Sequence, residues 1–174
     1  MKKKLINVLA LFALLGTMHS CEWFDGLVNI TFETDYVDID FTVNPNTAGE
    51  HELAEKVLQS DIEQQIEEHG GNAVNLDEIR VYDATLSIET EGVTFDAFNW
   101  VEVYISAEGA EEILIGTATI TETGLLSVDL DITEEDLSDI IDAESYNVRI
   151  VGSLAEELVA AVDMLLRIRY QVVV

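Results

Sequence analysis

A nucleophile needs a base that can reach it, and this chain offers few bases. It contains three histidines and one cysteine. His51 and His69 sit near opposite ends of a glutamate-rich stretch, where a solvated or capping imidazole is the ordinary role. There is no glycine-rich phosphate loop, no paired-cysteine site and no His-x-x-x-His spacing. No metal site or cofactor is therefore assigned, and the chain reads as non-catalytic. Carboxylates are so abundant, at 35 Asp and Glu, that any pair of them is weak ground for a carboxylate-based hydrolase. Asp38/Asp40 and Asp129/Asp131 lack the spacing of a calcium loop and read as the outward rows of alternating strands.

Two constellations point to binding rather than catalysis. Phe98, Trp100 and Tyr104 fall on one face of an alternating segment, opposite Val101, Val103 and Ile105. An open aromatic row would stack on sugar rings or dock a partner, whereas a helix laid over it would make it core. Arg149, Arg167 and Arg169 cluster in the last two apolar segments. They read either as partners of neighbouring carboxylates or as a contact for an anionic ligand or partner.

The elements that must position these residues follow from hydrophobic periodicity. Val28, Ile30 and Phe32 alternate with polar residues, and the alternation then slips to Val37, Ile39, Phe41 and Val43. A one-residue slip exchanges faces, so residues 34–36 are expected to form a bulge, bend or turn, of the kind seen where a sandwich strand changes sheet. The spacing of Leu53, Ala54, Val57, Leu58, Ile62 and Ile66 predicts an amphipathic helix over about 48–69, opened by Thr47 and Glu50 and closed by Gly70-Gly71. Its apolar stripe is the natural cover for the aromatic row. Strands are predicted over 79–90, 98–107, 112–121, 125–132, 145–152 and 162–174, with turns at Gly92, Gly109 and Gly124 and a short helix over 134–142. The expectation is a mainly β chain, a β-sandwich of roughly eight strands with two helices, a partial barrel being the alternative.

The N-terminus has a different character. Lys2, Lys3 and Lys4 precede an apolar run from Leu5 to Leu15, too short to span a membrane, and all 35 acidic residues follow Cys21. Met18-His19-Ser20-Cys21 resembles a lipobox, at which a bacterial lipoprotein signal is cut before a diacylated cysteine; His19 departs from the small residue usual there. The whole chain is similar in style to small β-sandwich lipoproteins of the Bacteroidota. That resemblance implies a signal at residues 1–20, lipidation of Cys21, a tether over 21–26 and one domain over 27–174. It places the protein in the cell envelope, at the outer membrane, in a leaflet the sequence does not name.

Net charge is −27, and setting Lys2, Lys3 and Lys4 aside leaves five basic residues. Such a field repels phosphate backbones, which excludes nucleic acid as a partner. The expected function is a membrane-anchored envelope module that binds or supports something at the membrane surface. The alternatives are carbohydrate recognition through the aromatic row and, from another class, the hydrolase. Expected partners are the membrane, through the lipid, and an envelope protein or glycan.

Overall fold

The computed structural model describes residues 30–73 and 76–174. The signal, Cys21 and the tether lie outside the described residues. Ten strands form two five-stranded antiparallel sheets that enclose one apolar core, a β-sandwich.

The first sheet is built on the closing strand, β10 (Val162–Val173). Its alternate residues Val162, Met164, Leu166, Ile168, Tyr170 and Val172 are all buried. Each buried aliphatic side chain of this size is worth about 1.5–3 kcal/mol, so the strand must lie in the middle of something. It does. One edge pairs in succession with β2 (Val37–Val43) and β1 (Thr31–Glu33), and the other pairs with β4 (Glu78–Ile88), which β7 (Ser127–Asp129) extends.

The expected slip at residues 34–36 is a bulge, not a change of sheet, because β1 and β2 both pair with β10. Glu33 opposes Gln171 and Val37 opposes Ile168, which leaves three residues facing two. Thr34 fills the irregularity: its amide donates to the Tyr170 carbonyl, and its hydroxyl accepts from the Tyr170 amide. On the opposite edge Arg169 opposes Asp83 and Tyr170 opposes Val81, so Tyr82 is a second extra residue. Two bulges therefore flank the same dipeptide of β10.

The second sheet runs β3 (Gly49–Gln59), β9 (Ser145–Leu154), β5 (Phe98–Ser106), β6 (Ile113–Thr119) and β8 (Asp131–Ile132). Here the helix expected over 48–69 is corrected. Residues 49–59 are a strand whose ladder on β9 runs from Gly49 opposite Leu154 to Gln59 opposite Ser145. The apolar spacing suits a helix, but a helix would leave the β9 backbone without partners along that whole edge. Leu53 is the extra residue of a bulge, so Leu53 and Ala54 both turn inward, and Gly152 leaves the room that Leu53 occupies. A Cβ on Gly152 would lie 2.7 Å from the Leu53 methyl and 3.1 Å from the Trp100 carbonyl oxygen.

Only α1 (Ile62–Glu68) is helical in that region, and its Ile62 and Ile66 join the core. The short helix is also shorter than expected, α2 (Ser138–Ile141). Asp136 precedes it and accepts from the backbone amides of Ser138 and Ile79. The segment expected as one strand over 125–132 divides at Leu130, which is buried between β7 in one sheet and β8 in the other. The turn glycines behave as expected, with positive φ at Gly92, Gly109 and Gly124.

Candidate aromatic–arginine face

The expected aromatic row does not form as drawn. Asn99 is the extra residue of a bulge against β9, so Phe98 rotates into the core, 2% exposed, and packs on Phe95 with ring centres 5.6 Å apart. Trp100 and Tyr104 remain on the outer face of the second sheet, half-buried. The expected helical cover is absent, because the core cluster that receives Ile62 and Ile66 includes neither ring. Tyr104 donates its hydroxyl to Glu102 at 2.7 Å and lies under the Arg149 guanidinium at 4.6 Å. The Glu102 bond first, and then burial, raise the pKa of that phenol, and Arg149 opposes them.

The three arginines do not converge. Arg149 stands on the second sheet and grips Glu112 with two nitrogens, Nε at 2.8 Å and Nη2. The bond from Arg149 holds the Glu112 carboxyl below its usual value, against the opposing effect of burial. Arg167 and Arg169 stand on the outer face of the first sheet. Arg167 Nε donates to Asp38 at 2.8 Å, which lowers the Asp38 pKa, and Arg169 pairs with Asp83 at 2.6 Å and Glu33 at 2.8 Å. Pairing with carboxylates is thus the arrangement all three adopt, across strands for Arg167 and Arg169 and to the loop before β6 for Arg149.

What the sequence reading missed stands around Arg169. Tyr36, from the first bulge, and Tyr82, from the second, each place a ring centre 4.7 Å from its guanidinium carbon. Arg167 approaches Tyr36 from the next outward position at 5.4 Å. Contacts of this kind contribute about 0.5–1 kcal/mol each at exposed sites, and here two act on one cation that carboxylates also hold. Both tyrosines nevertheless stay open, 46% and 47% exposed. The same face carries Thr85 donating to Asp129 and Thr42 donating to Asp163 across strands. The result is an ordered lattice of donors and acceptors around two open rings. A bulge re-aims side chains and is retained at a cost in ladder hydrogen bonds. Two of them opposite one dipeptide are what bring these rings to Arg169.

The remaining candidates stay apart. His51 is on β3, not on a helix, with Nε2 at 2.8 Å from the Thr47 carbonyl oxygen. His69 closes α1, bonds the Gln65 carbonyl through Nδ1 at 2.8 Å and stacks on Phe32 with ring centres 4.1 Å apart. An open cleft of about 450 Å³ lies beside α1, lined by Ser60, Asp61, Glu63, Asp142 and Glu144 among others. Among the described residues no group of three or more His, Cys, Asp or Glu is placed to hold a metal. Nor, among the described residues, is any helix long and apolar enough to cross a membrane.

No family model matches the chain, and no curated protein matches it. Among solved structures it is similar to a chain of Cocksfoot mottle virus, at 11% identity and a TM-score of 0.30 over 82% of this chain and 83% of that one, a likeness too slight to carry a functional argument.

Proposed function

We propose that this chain is a bacterial envelope lipoprotein, held to the membrane by lipid on Cys21, whose domain is a non-catalytic binding module. The binding surface is the outer face of the first sheet. The observation that carries this reading is the Tyr36–Arg169–Tyr82 stack, in which two rings remain about half open although each packs on a fixed cation. Polar residues would keep a sheet face soluble without aromatics, so paired open rings set by two bulges are a feature that solubility does not require. The anchor rests on the sequence alone, on the basic start, the short apolar run and Ser20-Cys21. Lipidation at one cysteine with two or three chains is sufficient for stable membrane attachment.

The test is a photo-crosslinking residue placed at Tyr82 or, as the control face, at Tyr104, in the full chain in cells. A crosslinked adduct is expected from position 82 and not from 104, in the membrane fraction. Absence of any adduct at 82, or equal adducts from both faces, overturns the assignment of the binding face. Cys21→Ser is expected to leave the product unlipidated and released from membranes. A Cys21→Ser protein that still carries lipid and sediments with membranes sinks the anchor.

A further inference from the structure

Resting on the binding reading above, we infer that the occupant of the Tyr36–Arg169–Tyr82 face is a neutral glycan, stacked on the two tyrosines and hydrogen-bonded to the paired charges around them. The rings are the first reason. Each gives one side to the Arg169 guanidinium and keeps about half of its surface open. Both centres lie 4.7 Å from the same guanidinium carbon, close enough together for one ligand to reach both rings. An open phenol ring presents an apolar plate with a polar rim, which suits a sugar ring with one C–H face and a rim of hydroxyls.

The second reason is the kind of polar group beside the rings. Glu33, Asp38 and Asp83 supply acceptors, Arg167 and Arg169 supply donors, and ion pairs already hold all five in place. A hydroxyl can donate to the first set and accept from the second, so a polyol uses both without displacing either. The groups are fixed before binding, which limits the side-chain entropy lost when a ligand arrives.

The third reason is charge. The three arginines on this face, Arg80, Arg167 and Arg169, are each paired with a carboxylate, and the chain as a whole carries −27. A sulfated or uronic glycan, a phosphate or an anionic lipid therefore meets repulsion with no free cation to receive it. A cationic peptide would be drawn to acidic surface over the whole molecule, and at this face it would have to compete with Arg169 for Asp83 and Glu33. Its cations would stack on the tyrosines as Arg169 does, but would leave Arg167 and Arg169 themselves unused. Only a neutral, hydroxyl-rich partner uses the rings, the carboxylates and the arginines together.

The test is calorimetric titration of the full chain, in detergent micelles, with neutral hexaoses of the cello-, malto- and manno- series, and with an oligogalacturonate and an oligolysine as charged probes. At least one neutral series is expected to bind, and the galacturonate is not. Tyr36→Ala and Tyr82→Ala are each expected to weaken binding by about tenfold, the loss of one stacking contact. Tyr36→Phe, which keeps the ring and removes a hydroxyl 3.4 Å from Asp83, is expected to stay within a few-fold of the parent. Tyr104→Ala, on the other sheet, is expected to change nothing, and circular dichroism confirms that each variant folds. Failure of every neutral hexaose, binding that survives both tyrosine-to-alanine changes, or tighter capture of oligolysine overturns the glycan. If the crosslinker at position 82 still marks an occupant when every hexaose fails, the glycan is lost and the binding face stands. If that crosslinker is silent as well, both are lost.

Discussion

Tyr170 is 2% exposed, and its hydroxyl has no hydrogen-bond partner among the described residues. The Tyr146 phenol stands near it from the opposite sheet. Burial first, and then its neighbour Tyr146, push the Tyr170 pKa well above 10.0, and burial raises Tyr146 as well. A raised phenol pKa stabilises the fold fully below the unfolded value and loses that contribution as pH rises through the folded one. Stability is therefore expected to fall above pH 10, and Tyr170→Phe is expected to remove part of that loss. At neutral pH the same substitution deletes a buried, unpaired hydroxyl, so it should be neutral or stabilising, within about 1 kcal/mol. Denaturant melts of parent and Tyr170→Phe at neutral and alkaline pH read both effects. A Tyr170→Phe protein that is strongly destabilised at neutral pH would mean that the hydroxyl is bonded after all. The acid side has the opposite sign. Asp38 and Glu112 are both lowered by their arginines, from 3.8 and 4.5, so their contribution is present above those values and lost as pH falls through the folded ones. Exposure limits what each pair contributes. These two contributions should therefore fade gradually below about pH 4, against the repulsion that the same acid relieves among the other carboxylates.

At the scale of elements, β10 was the most legible part of the chain, because seven apolar residues at period two admit one structure. Ile168→Ala is expected to cost about 2–5 kcal/mol through lost burial and a cavity. Arg167→Ala, which breaks an exposed pair, is expected to cost far less than Ile168→Ala. Arg169→Ala should fall between them, since it also loses both rings. Thermal melts of the three variants give the order, and an arginine that costs as much as Ile168 would mean the faces are reversed. Removing residues 170–174 strips β10 of its partners in β1 and the start of β4, and should prevent stable folding. The edge strand β3 was not legible. Leu53, Ala54, Val57 and Leu58 satisfy a helical stripe, and what decides against it is the open edge of β9, which local spacing does not contain. The candidate site was half legible. The parity slip between Phe32 and Val37 is visible in sequence, and so is a second one, between Val81 and Ala84. That both slips face Arg169 and Tyr170 follows only from the pairing of three distant strands, so Tyr36 and Tyr82 could not be joined to the arginine beforehand.

The molecule as a whole carries 35 acidic residues against eight basic ones. Five ion pairs are formed among the described residues, and they engage only five of the carboxylates. Self-repulsion of this kind destabilises the compact state, since unfolding separates the charges. Salt acts on both terms. It weakens the five attractive pairs, which are partly exposed and contribute little, and it weakens the far more numerous repulsions, which extend up to a Debye length of about 10 Å at 0.1 M. The repulsive sum is the larger, so the melting temperature should rise between about 10 and 200 mM salt and then level off as the screening length shrinks below the spacing of the charges. A specific cation site would give a different signature, with a rise that depends on the ion and saturates at low concentration. Among the described residues no cluster of His, Cys, Asp or Glu is suited to a metal, so sodium and the bulky tetramethylammonium ion should stabilise alike and a chelator should change nothing. Melts in the two chlorides, with and without chelator, separate the cases. Equal upward shifts support repulsion spread over the whole surface. A flat profile, or stabilisation by one cation alone, would mean that the acidic rows are already neutralised at particular places, and those places would then have to be found among the outward carboxylates of both sheets.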